Sequence, residues 1–235
     1  MNGTLVLAMN NGNNDFLNIS LINQWGSEDN MDPNLRINIQ ITSVDYDNDA
    51  DIDIIVGDNS GKVELLLNHG NGSFYSMGVI DDFGSLSWGI ISFDVNADEC
   101  MDIIVAAATD DTLNSPLGHL YCIPNTGTSN FDNIEHSIVG NITSGIGTGY
   151  LSSINIDDAA DKEIIAGIIE KIYLFDNKNG KYMHTSLYEA PITEARLFKD
   201  LSKGGITVGD FNNDGYDDFI TGGVHGIIRL FLNKM

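Results

Sequence analysis

The stretch Asp210-Phe211-Asn212-Asn213-Asp214-Gly215-Tyr216-Asp217-Asp218-Phe219-Ile220-Thr221-Gly222 decides how this chain folds. Oxygen-bearing side chains stand at its positions 1, 3, 5 and 9: Asp210, Asn212, Asp214 and Asp218. Alternating donors at 1, 3 and 5, with a backbone carbonyl at 7, are how a loop converges on one hard cation such as calcium. The carbonyl at 7 is that of Tyr216, and Gly215 supplies the sharp turn. An EF-hand would reach a bidentate Glu at position 12 and enter a helix. Here position 12 is Thr221, in an aromatic and β-branched run that ends at Gly222-Gly223. The loop therefore feeds a strand.

The same pattern recurs upstream. Asp45 opens D-Y-D-N-D-A-D-I-D-I-I-V-G, Asp94 opens D-V-N-A-D-E-C-M-D-I-I-V-A, and Asn155 opens N-I-D-D-A-A-D-K-E-I-I-A-G. A second element follows the first copy: Gly61-Lys62-Val63-Glu64-Leu65-Leu66-Leu67-Asn68, then Gly70, Gly72 and Phe74. It returns with the same spacing from Gly118 (Asn125, Gly127, Phe131) and from Gly3 (Asn10, Gly12, Phe16). Its first half returns at 226–233, and a degraded copy ends at Asp176-Asn177. Each unit reads as four short strands, from alternation, β-branched enrichment and Gly/Asn/Asp punctuation. In the first unit these are residues 37–41, 52–56, 63–67 and 74–80. Four strands in a repeat of roughly 50–60 residues is the arithmetic of a β-propeller blade. A jelly roll or sandwich needs no such repeat.

The expected fold is thus all-β, a propeller of four-stranded blades forming one domain. Its repeats run over about 1–34 (partial), 35–82, 83–140, 141–203 and 204–235 (partial). Both ends contribute the same strand of the repeat, so the expectation is an incomplete propeller cut from a longer one, with further repeats flanking it. The alternative is a permuted four- or five-bladed ring. Residues 193–203 read as a short helical connector between a Thr193 cap and a Gly204 stop. Residues 110–117 are an insertion expected to project as a loop.

Composition narrows the function classes. Thirty-four acidic against 11 basic residues give a formal charge of −23. That argues against nucleic acid or an anionic membrane as partner, because both need a Lys/Arg surface. Hydrophobic residues at 42% exclude a disordered acidic tail. No run approaches the roughly 18–20 apolar residues of a membrane span. The start lacks a basic segment before its short apolar run, so no signal peptide is read. Cys100 and Cys122 make neither a disulfide framework nor a zinc site.

Residues 209–219 with Gly222 resemble an FG-GAP repeat, also called a VCBS repeat, as in the integrin α-subunit propeller. Phe83-Gly84 and Val105-Ala106-Ala107 echo its name without the Pro, and the run at 65–74 matches its second half. The resemblance covers nearly the whole chain. It implies calcium in the loop between the first two strands of each blade, and an extracellular or cell-surface setting.

The candidate ligands follow from the register. Loop one offers Asp45, Asp47, Asp49 and Asp53, with the Asp51 carbonyl. Loop two offers Asp94, Asn96, Asp98 and Asp102, with the Cys100 carbonyl. Loop four offers Asp210, Asn212, Asp214 and Asp218, with the Tyr216 carbonyl. Loop three is degenerate: Asn155, Asp157, Asp161 and Glu163 remain, but position 5 is Ala159. An oxygen-only ligand set suits Ca2+ over zinc or copper. About three structural calcium sites are expected. One such loop alone is also compatible with an Asx-rich turn holding no metal.

No catalytic constellation stands out. The five histidines share no ligand spacing, there is no G-x-S-x-G, and the glycines at 145–149 are not followed by a helix. Every clustered pair of carboxylates is already explained by the loops. The expectation is a non-catalytic calcium-binding module that engages a protein or glycan ligand by adhesion. Two alternatives remain: a lectin-like propeller stacking sugars on Trp25 or Trp88, and an accessory or catalytic domain of a polysaccharide-processing enzyme.

Overall fold

The computed structural model describes residues 3–10, 12, 16–25, 40–58, 60–84, 87–108, 118–127, 135–142, 150–157, 159, 161–168, 171–178, 181–189, 205–222 and 228–234. Among them every regular element is a strand, and no helix is long and apolar enough to cross a membrane.

The strands assemble in sequence-local sets, as a repeat with short Gly/Asn-rich turns dictates. The first full blade is the antiparallel meander β3 (Gln40–Val44), β4 (Asp53–Gly57), β5 (Lys62–Asn68) and β6 (Phe74–Asp82). The second is β7 (Ser87–Phe93), β8 (Asp102–Ala108), β9 (Gly118–Ile123) and β10 (Ser137–Ile142). The third is β11 (Tyr150–Ile154), β12 (Glu163–Ile168), β13 (Lys171–Asn177) and β14 (Tyr182–Glu189). Before them stands the hairpin β1 (Gly3–Asn10) and β2 (Phe16–Trp25). After them comes a three-stranded unit, β15 (Ile206–Gly209), β16 (Asp218–Gly222) and β17 (Ile228–Phe231).

The innermost strands β3, β7, β11 and β15 stand side by side in chain order. That is the arrangement of propeller blades around a common axis. The core lies between blades, not within them. Along β8 the side chains alternate: Ile103, Val105 and Ala107 join a buried cluster with Ile55, Val63 and Leu65 of the first blade. Ile104 and Ala106 join another with Ile164, Ala166 and Phe175 of the third. A third cluster brings Ile154, Ile165 and Ile172 against Phe219 of the last unit. Strands buried on both faces explain why the runs after each loop (Ile54-Ile55-Val56, Ile103-Ile104-Val105, Ile164-Ile165-Ala166) are continuously apolar.

The second and third blades also touch at their outer strands. β10 and β14 meet in parallel at Gly140↔Tyr182, which joins the two meanders into one eight-stranded sheet. A Cβ at residue 140 would sit 3.2 Å from the Tyr182 carbonyl oxygen and 3.3 Å from Leu120 Cδ1.

The expected strands of the first blade are present among the described residues. The first was expected at 37–41; residues 37–39 lie outside the described residues, and the strand described there is Gln40–Val44. It runs up to the acidic loop because Val44 pairs with Asp53, the first residue of β4. The helical connector at 193–203, the insertion at 110–117 and the glycines at 145–149 lie outside the described residues.

Candidate metal loops

Each acidic loop joins the first strand of a unit to its second. Loop one spans the gap from β3 to β4, loop two from β7 to β8, loop three from β11 to β12 and loop four from β15 to β16. All four therefore occur at the same end of their blades.

Three of the loops share one hydrogen-bonding plan. The position-1 carboxylate gathers the N–H groups of positions 5 and 6. Asp45 accepts from Asp49 (3.1 Å) and Ala50 (3.0 Å). Asp94 accepts from Asp98 (3.2 Å) and Glu99 (2.9 Å), and Asp210 from Asp214 (3.2 Å) and Gly215 (3.0 Å). The position-5 carboxylate then accepts the N–H of position 7, as Asp49 does from Asp51 at 2.8 Å. Asp98 repeats this with Cys100 at 2.9 Å and Asp214 with Tyr216 at 3.1 Å. To wrap this tightly the backbone turns left-handed at positions 4 and 6. Asn48, Ala97 and Asn213 have φ of 59°, 62° and 60°, and Ala50, Glu99 and Gly215 have 73°, 70° and 95°. Ala50 and Glu99 adopt a conformation that costs an L residue of order 1 kcal/mol, so the surroundings impose it. The N–H groups converging on Asp210, that of Gly215 foremost, hold its carboxyl below the usual range.

Position 3 separates loop one from the others. In loops two and four it is an asparagine whose Nδ2 donates to the position-5 carboxylate, Asn96 to Asp98 at 3.0 Å and Asn212 to Asp214 at 2.8 Å. In loop one it is Asp47, which has no proton to give. Asp47 Oδ1 is buried without a hydrogen-bond partner. Oxygens of Asp45, Asp47 and Asp49 lie within 4.8 Å of one another. Burial first, then the carboxylates of Asp53 and Asp49, push the Asp47 pKa up. Loop one, with an orphaned carboxylate oxygen in an all-oxygen cluster, fits a hard divalent cation on its own geometry.

The position-9 acids serve the fold as well. Asp53, Asp102 and Asp218 are fully buried, and Glu163 nearly so. Each accepts the N–H of position 2 across the loop: Tyr46 to Asp53 (2.8 Å), Val95 to Asp102 (3.1 Å), Ile156 to Glu163 (3.2 Å) and Phe211 to Asp218 (2.9 Å). In three of them the other oxygen accepts a backbone N–H from a residue at or just past the end of the third strand, at 2.8 Å from Asn68, Asn125 and Asn233 respectively. Burial nevertheless outweighs these bonds and raises the Asp53, Asp102 and Glu163 pKa values. These carboxylates pin three strands together, with lone pairs left over for a cation.

Loop three departs as its sequence indicates. Ala159 at position 5 carries no side-chain oxygen, and its N–H goes to Asp157 at 2.7 Å. Asn155 is engaged by loop four: its N–H donates to Asp217 Oδ2 at 2.9 Å, and its carbonyl accepts the Asp217 N–H at 3.1 Å. Asp161 is exposed at the end of the loop. Trp25 and Trp88 lie on β2 and β7, and their side chains fall outside the described residues.

The sequence reading missed the role of Asn68, Asn125 and Asn233. Their register in the repeat was visible, but a shared register does not say what an amide donates to.

Residues 45–105 match the family model of the FG-GAP-like repeat. The matched stretch opens at position 1 of loop one and ends inside β8, so it takes in two acidic loops and the last three strands of the first blade. No curated protein matches the chain. The chain carries an FG-GAP-like repeat, built as a propeller-type all-β fold.

Proposed function

We propose that this protein is a non-catalytic, calcium-stabilised propeller module of an extracellular or surface protein, serving adhesion or ligand binding. The observation that carries the calcium part is loop one, where Asp45, Asp47 and Asp49 converge and Asp47 Oδ1 has no partner. Asp45, Asp47, Asp49 and Asp53 with the Asp51 carbonyl would hold the ion there. Asp94, Asn96, Asp98, Asp102 and the Cys100 carbonyl would do so in loop two, and Asp210, Asn212, Asp214, Asp218 and the Tyr216 carbonyl in loop four. Bound calcium supplies positive charge to clusters that otherwise repel themselves, and so fastens the first two strands of each blade.

The repetition of one loop plan supports a scaffold over an active centre, since catalysis needs one distinctive site. The extracellular setting is supported by the FG-GAP-like repeat. The ligand, protein or glycan, would meet loops that the blades hold in place.

Calorimetric titration with calcium tests the reading. The protein should bind about three ions with dissociation constants near 10⁻⁴ M, as extracellular modules do. The triple variant Asp49→Asn/Asp98→Asn/Asp214→Asn should bind none. Equal heats from the two proteins would refute the loop assignment.

A further inference from the structure

Loops one and two are wired to each other through a buried asparagine. Asn125 is 2% exposed, and its backbone N–H, Oδ1 and Nδ2 are all hydrogen-bonded. Its N–H holds Asp102 of loop two at 2.8 Å, and its Oδ1 accepts the Gly127 N–H at 3.0 Å. Its Nδ2 crosses to the neighbouring blade and donates to the Tyr46 carbonyl, in loop one, at 2.7 Å. Tyr46 in turn gives its N–H to Asp53. An unbroken relay thus runs from Asp53 through Tyr46 and Asn125 to Asp102.

The last two units repeat it. Asn233 gives its N–H to Asp218 and its Nδ2 to the Ile156 carbonyl of loop three, both at 2.8 Å, and Ile156 gives its N–H to Glu163. Asn68 holds the same repeat position but keeps its Nδ2 at home, on Ile52 O at 3.0 Å.

We propose that Asn125 is a positioning residue that couples the cation affinities of loops one and two. The proposal rests on the calcium reading above. Tyr46 lies between Asp45 and Asp47, so where its carbonyl sits sets where two prospective ligands sit. The relay links two buried carboxylates through the Tyr46 backbone and the hydrogen-bonded Asn125 amide, all buried, so it shifts as a unit or not at all. A cation that draws loop one closed sets the Asn125 amide, and through its N–H the Asp102 carboxylate of loop two. By linkage the effect is reciprocal.

The test is a double-mutant cycle read by calcium titration, with Asp214→Asn present throughout to silence loop four. With Asn125 intact, disabling loop one by Asp49→Asn should weaken calcium binding at loop two about fivefold, a modest coupling. With Asn125→Asp, which swaps the Nδ2 donor for an acceptor facing the Tyr46 carbonyl, the same loss of loop one should change loop two by less than about twofold. Asn68→Ala should leave the fivefold coupling in place. A purely structural asparagine would lower the melting temperature but leave the coupling unchanged. Should Asn125→Asp lose its cooperative melt, Asn125→Ser stands in for it. Unchanged affinity of loop two in Asp49→Asn, or equal coupling with and without Asn125, overturns the proposal while calcium binding stands. Absence of any calcium heat in the Asp214→Asn protein overturns the calcium reading itself.

Discussion

At the scale of single residues, position 3 of each loop sets how much a cation is needed. An amide there lets Asn96 and Asn212 donate to the facing carboxylate, so those loops partly satisfy themselves. Asp47 leaves an oxygen buried and unpaired, which costs about 1–3 kcal/mol without a cation. Asp47→Asn should therefore raise the melting temperature measured in chelator while weakening calcium binding at loop one by about tenfold. Melts in chelator and titration of the same variant check both signs, and a variant less stable in chelator would contradict the account. The ligand pattern at positions 1, 3, 5 and 9 was legible because oxygen-bearing residues alternate in register. That position 9 also clamps two backbone N–H groups was not, since Asp53 and Asn68 meet only once the strands pair. Cys122 is a second residue-scale check. Burial, helped by Asp102 nearby, pushes its thiol up to about 12. It should resist alkylation at pH 8 in the folded protein and react fully in denaturant, as mass spectrometry would read.

At the scale of elements, hydrophobic alternation and turn residues placed the strands well but not their ends. The run from Ile37 suggested a first strand at 37–41, whereas β3 continues to Val44. Ser43 breaks the apolar pattern, so only the pairing of Val44 with Asp53 reveals where the strand stops. The contact between β10 and β14 had no signature at all, because it depends on how two consecutive blades approach each other in space at Gly140. Adding a methyl there meets a backbone carbonyl that cannot swing aside. Gly140→Ala should destabilise the fold by about 1–3 kcal/mol, seen as a lower urea midpoint at an unchanged slope. A midpoint equal to that of the parent would mean the two outer strands do not meet in solution.

At the scale of the whole molecule, the stability problem is electrostatic. Cores form between blades, so each blade depends on its neighbours, and the acidic loops lie at the ends of the strands that build those cores. A chain of net charge −23 that folds this way concentrates repulsion where its blades are fastened. The repeat made the blade architecture legible, because one pattern of loop, Gly and aromatic recurs through the chain. Which blades touch, and through which residues, had to come from three dimensions. At a dissociation constant near 10⁻⁴ M, millimolar calcium stabilises by about 1.4 kcal/mol per site, or roughly 4 kcal/mol for three. For a chain of this size that corresponds to roughly 10 °C in melting temperature. The most direct measurement is a pair of thermal melts, one in millimolar calcium and one in chelator. Calcium should raise the melting temperature by that order and magnesium should not; superimposable melts would rule out calcium as the fastener of the blades.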